Sequence, residues 1–77
     1  MDNIVVVTGQ RTLDVIVREG VTEKLRAAWT EVAGRGQAIE PADALYEFPD
    51  QRGALHILDL RDVRAISIYP LEGKANG

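Results

Sequence analysis

The stretch Gly53–Leu71, GALHILDLRDVRAISIYPL, constrains the fold more than any other part of the chain. Leu55 and Ile57 alternate with His56 and Leu58. After Asp59-Leu60-Arg61-Asp62, Val63, Ala65, Ser67 and Tyr69 alternate with Arg64, Ile66 and Ile68. A period of two places successive side chains on opposite faces of a pleated strand. Pro70 closes the run because it has no N–H to give to a sheet ladder. Two such runs with a short polar link predict an antiparallel pair.

Two further strands are predicted upstream. Ile4-Val5-Val6-Val7-Thr8 is β-branched throughout and suits a sheet better than a helix. Its apolar character on both faces predicts a strand covered on both sides or lying at a subunit interface. Gly9-Gln10-Arg11 reads as a tight connection. In Thr12–Arg18, Leu13, Val15 and Val17 face one way while Asp14, Ile16 and Arg18 face the other. A first hairpin over 3–8 and 12–18 follows.

The helix comes next. Val21, Leu25, Ala28, Trp29 and Val32 fall on one stripe at helical spacing. Thr22 is the expected N-cap, and Gly34 with Gly36 the expected stop, giving a helix over 22–33. A helix this short needs its stripe buried against the sheet. Pro41 excludes a helix through 40–41. Ala44–Phe48 alternates and is predicted as a strand, with Pro49–Gly53 turning the chain into 54–58. Ala38-Ile39 is expected to add a short edge piece. The tail 72–77 has no apolar anchor and is expected to fray. The expected architecture is a single α+β domain over 1–71. Its antiparallel sheet has four to five strands in the order β-β-α-β-β-β, with one helix on one face.

Composition narrows the function classes. A chain of 77 residues buries only about 60% of its unfolded surface, so its core is thin. It has no cysteine and one histidine, so disulfide and thiolate–zinc staples are not expected. Self-association or a protein partner is the remaining way to cover apolar surface. Nine basic against twelve acidic residues give a net charge of -3, the wrong sign for a phosphate-binding footprint. The N-terminus lacks a basic leader and Ile4–Val7 is too short for a membrane span, so a cytoplasmic protein is expected.

The spacing of Leu13, Val15, Val17, Leu25, Trp29, Ile57, Val63 and Ile66 covers about two-thirds of the chain. It resembles a set of small, uncharacterised α+β proteins of Gram-positive bacteria and their phages. The resemblance implies a fold and no site. Residues 35–53 depart from it, since the related pattern passes from helix to strand more directly.

Each residue that could carry chemistry has a plainer role. His56 sits mid-strand with no second histidine or cysteine to complete a nucleophilic pair. Asp59 and Asp62, with Asp14, lack the glycine and final glutamate of a calcium loop and read as a solvated hairpin turn. No Ser or Thr lies in a nucleophile or phosphate-loop context. The expectation is no catalysis, no cofactor and no metal. Arg52, Arg61 and Arg64 are expected to meet Arg11 or Arg18 on one edge, beside Tyr46 or Tyr69, although Asp50, Asp59 and Asp62 offset their charge. A one-helix sheet cannot cover both faces, so exposed apolar residues are expected among Val5, Val7, Ile16, Leu58, Ile66 and Ile68. The candidate interface is Arg61, Arg64, Tyr46, Tyr69 and Ile68.

These features favour a non-enzymatic protein–protein interaction module that self-associates through sheet edges or the uncovered sheet face into a homo-oligomer, of which a homodimer is one form. Its expected role is that of an accessory or regulatory factor of a bacterium or phage, in the cytoplasm, with an unidentified protein partner. The alternatives are a small nucleic-acid-binding β domain using the arginine edge, and a phage structural or assembly subunit.

Overall fold

The computed structural model describes residues 1–71. The expected frayed tail, 72–77, lies outside the described residues. The chain runs β1 (Asp2–Thr8), β2 (Thr12–Val17), α1 (Glu19–Arg35), β3 (Leu45–Pro49), β4 (Leu55–Asp59) and β5 (Val63–Pro70). The five strands divide between two antiparallel sheets, one ordered β2-β1-β5 and one formed by β3 and β4.

The near-continuous apolar run takes the central position. β1 pairs with β2 on one side (Val6 with Leu13, Ile4 with Val15) and with β5 on the other (Val6 with Ile66, Ile4 with Ile68). Ile4, Val6 and Val17 are fully buried beneath α1, while Val5 and Ile16 on the opposite face are half-buried. Each such aliphatic side chain taken out of water stabilises by about 1.5–3 kcal/mol. The alternation of β2 therefore places its side chains as the sequence predicts.

The predicted pairing of 54–58 with 63–69 is not made. β4 pairs with β3, with Phe48 opposite His56 and Tyr46 opposite Leu58, and β5 crosses to β1. The link Asp59–Asp62 is no hairpin turn. Leu60–Asp62 forms a 3₁₀ turn, the Asp59 side chain accepts from the Arg61 N–H at 3.0 Å, and Leu60 is buried. A tight hairpin would have left Leu60 in water and β1 without a second partner. Leu58, expected among the exposed residues, is also buried.

Helix α1 begins three residues before the predicted start. Arg18 is the N-cap residue and provides no side-chain cap, whereas Glu19 places a carboxylate in the first turn. Thr22, the predicted cap, instead lies inside the helix among the buried residues with Leu25 and Val32. Its Oγ1 has no hydrogen-bond partner. A buried hydroxyl left unpaired costs about 1–3 kcal/mol. Thr22→Val, which keeps the shape and removes the hydroxyl, is therefore expected to stabilise the protein. A gain of 1 kcal/mol corresponds to a Tm higher by about 4–8 °C in a domain this small, read by thermal melting.

The helix ends at Gly36 rather than Gly34. Gly36 adopts φ 58° and its N–H reaches the Val32 carbonyl. With ψ at -130° this backbone lies in a region essentially reserved for glycine, so Gly36→Ala should lower stability by about 1–3 kcal/mol in a urea titration. The predicted edge strand at 38–39 is absent. Gly36–Ala38 and Pro41–Ala44 are 3₁₀ turns, pinned to the core by buried Ile39 and Ala44. The 35–53 departure is thus a pair of anchored turns followed by the β3 strand and its turn.

Candidate interaction surfaces

The turn between β3 and β4 is fixed by one carboxylate. Asp50 Oδ1 accepts the N–H groups of Arg52 at 2.8 Å and Ala54 at 3.0 Å, and Oδ2 lies 3.0 Å from His56 Nε2. Gly53 supplies the left-handed residue, φ 88°, and its N–H returns to the Asp50 carbonyl. The His56 ring packs on Phe48 with centroids 5.5 Å apart. His56 is a turn clamp on the inner face of the hairpin, and its partner lies six residues back, in a turn whose Asp at the first position is a familiar capping choice.

The bond to His56, with the two backbone donors, holds the Asp50 carboxyl below the ordinary carboxylate range. A depressed carboxylate pKa contributes stability that is fully present above its unfolded value and is lost as pH falls through the folded one. The Arg61 guanidinium depresses Asp59 in the same sense. The stability that these two carboxylates contribute should therefore be lost as pH falls below about 5. Asp50→Asn should be less stable at neutral pH and show a shallower acid limb, read from denaturant midpoints at several pH values.

The arginines do not form one edge. Arg11, Arg61 and Arg64 gather around the β1–β2 loop. Arg11 and Arg61 line one open cleft with Thr8, Gln10, Asp59 and Asp62. Gly9 is packed so closely there that a Cβ would sit 2.6 Å from Asp62 Oδ1 and 2.8 Å from the Arg64 guanidinium. Arg18 and Arg52 lie together at the other end of the sheet, beside the β3–β4 turn. Arg61 is also engaged: its Nε and terminal nitrogen hold both Asp59 carboxylate oxygens, at 3.0 and 2.6 Å.

Of the other candidate interface residues, Tyr46 and Ile68 pack against the core. Tyr46 is half-buried on the inner face of β3, stacked on Phe48 at 6.3 Å. Ile68 pairs with Ile4 on the core side of β5, while Tyr69, 55% exposed, pairs with Asn3 on the outer side. Trp29 is half-buried against the core, as its place on the stripe requires. Among the described residues, no group of His, Cys, Asp and Glu is placed to hold a metal ion, and no helix is long and apolar enough to cross a membrane.

The three most exposed large apolar side chains among the described residues were not part of the candidate interface expected from sequence. On the outer face of the β3–β4 hairpin, Leu45, Ile57 and Leu55 are 56%, 59% and 61% exposed. Pro49 pairs with Leu55 and extends the row. The signal was present in the alternation: once Phe48, His56 and Leu58 face inward, Leu45, Leu55 and Ile57 must face outward. Comparison of the chain with protein-family models, curated proteins and solved structures finds no match.

Proposed function

We propose that this chain is a small, non-enzymatic protein–protein interaction module. It self-associates and serves as a cytoplasmic accessory or regulatory factor of a bacterium or phage. One observation carries the reading: Leu45, Leu55 and Ile57, with Pro49, expose apolar side chains on the outer face of a two-stranded sheet. Scattered apolar residues are ordinary on a surface, but three large aliphatic side chains more than half exposed on one face of one hairpin, interleaved with Glu47 and Asp59, have the composition of a binding face.

The test is a tagged pull-down from nuclease-treated bacterial lysate with the native chain and with Leu55→Lys/Ile57→Lys. A protein retained by the native chain and lost with the variant supports the hairpin face as the docking site. Equal recovery by both would discard it.

A second reading has its own observation, the grouping of Arg11, Arg61 and Arg64 around the β1–β2 loop. It predicts nucleic-acid binding at low salt that collapses as salt rises and weakens in Arg11→Ala/Arg64→Ala. The interleaved Asp59 and Asp62, and the engagement of Arg61 by Asp59, weigh against it.

A further inference from the structure

The sheet β2-β1-β5 has two edges, and they differ. On β2 the Ile16 carbonyl already accepts the Gln51 N–H at 2.8 Å, so the tip of the β3–β4 hairpin closes part of that edge. β5 has β1 on one side and, among the described residues, no ladder partner on the other. Protein edges are normally blunted by charge, proline or a bulge. β5 carries such devices only at its ends: a register shift where Val63–Ala65 pass Thr8 and Val7, and Pro70 at the close. Between them Ala65-Ile66-Ser67-Ile68-Tyr69 has no charge, no proline and a high preference for strand.

We propose that this edge pairs antiparallel with β5 of a second copy of the chain, about a two-fold axis passing beside Ser67. The pairing specifies the self-association included in the function proposed above, through a surface separate from the hairpin face. Three physical requirements select this register. First, a two-fold axis normal to the sheet pairs each residue with one on the same face. Second, with Ser67 opposite Ser67 of the partner subunit, Ile66 meets Ile68 of the partner subunit on the core side. On the outer side Ala65 then meets Tyr69 of the partner subunit. All five uncharged residues of each strand are matched, large against small or aliphatic against aliphatic. Third, the two Arg64 residues lie six positions apart along the strands, about 20 Å, beyond the screening length of physiological salt. An axis at Ala65 would bring the two Arg64 side chains together, and an axis at Ile68 would place Pro70 within the ladder.

The occupant is a second copy because the strand is its own complement. Ile66 and Ile68 are only half-buried in the single chain, and the pairing extends the core face of one sheet into that of the other. The result is a continuous six-stranded sheet, β2-β1-β5-β5-β1-β2.

The chain has no cysteine, so one introduced thiol reports the register. Residues directly opposite each other have Cβ atoms about 4.5–5.5 Å apart, near disulfide range. Ser67→Cys should therefore give a covalent dimer of twice the 8.5 kDa chain mass under mild oxidation. Ala65→Cys is the control: the two thiols would be displaced by about 13 Å and should remain free. In parallel, sedimentation equilibrium of the untagged native chain should show a concentration-dependent dimer. Ser67→Lys, which sets two ammonium groups opposite each other on an exposed position, should weaken it at least tenfold while leaving the circular dichroism unchanged. Cross-linking of both cysteine variants at equal rates would overturn the pairing, as would a native dimer indifferent to Ser67→Lys or a native chain monomeric at millimolar concentration. A monomer that still captures a protein through Leu55 and Ile57 would remove the β5 pairing alone. A β5 dimer with no capture would remove the hairpin-face reading alone.

Discussion

Phe48→Ala should remove a large part of this protein's stability, about 3–5 kcal/mol. Phe48 is 1% exposed and is the largest fully buried side chain in the core. It fills the space between the β3–β4 hairpin and the rest of the core, with Tyr46 on one side and the His56 ring on the other. Truncating a buried Phe to Ala costs about 3–5 kcal/mol, the sum of lost transfer energy and the cavity left behind. A chain of 77 residues has a total stability of about 4–12 kcal/mol, so the loss is between a quarter and the whole. The hairpin is attached to the rest of the fold mainly through this side chain, Leu58 and the Gln51–Ile16 bond, and a lone two-stranded hairpin is marginal in water. Phe48→Leu keeps most of the volume and should cost far less. Urea unfolding followed by far-UV dichroism distinguishes the two. A Phe48→Ala variant within 1 kcal/mol of the native chain would mean that the hairpin contributes nothing to the core.

The second large effect is on binding rather than folding, and it comes from the same two strands. Leu55→Lys/Ile57→Lys changes side chains about 60% exposed on the outer face. Exposed substitutions usually stay within about 0.5 kcal/mol in stability. Lysine on an exposed strand is also a common guard against non-specific pairing. For a partner docked on this row, however, each lysine buries an unpaired charge at the centre of the interface. Anchor residues at such centres contribute about 2–4 kcal/mol, so affinity should fall about 30- to 1,000-fold. The measurement is calorimetric titration of the captured partner with both chains, alongside their melting curves. Equal affinity with unchanged stability would show that the outward row is ordinary surface. The inner and outer faces of one hairpin thus predict opposite phenotypes at neighbouring positions: substitution of Phe48 should change stability, and substitution of Ile57 should change binding alone.

The contrast between the two faces also shows how far the sequence reached. The alternation of Leu13, Val15 and Val17 against Asp14 and Ile16 set the faces of β2, because a period of two leaves no freedom once one side is buried. The stripe Val21, Leu25, Ala28, Trp29 and Val32 set which side of α1 packs inward. The clamp of His56 by Asp50 was half visible: the turn chemistry of Pro49–Gly53 was legible, but the return of His56 to Asp50 depends on where the hairpin register places it.

The order of the helix and the five strands, and the inward faces of β2 and α1, were therefore determined by the sequence itself, through local periodicity and turn chemistry. Strand partnership was decided only by tertiary structure. Nothing in the alternation of Ala65–Tyr69 distinguishes β1 from β4 as its neighbour, since either would match its period. Burial of Leu60 and the need of the apolar Ile4–Val7 run for a partner on each side make the choice, and both are properties of the whole core. The same choice places the arginines at two ends, directs Leu45, Leu55 and Ile57 to solvent, and leaves β5 as the open edge.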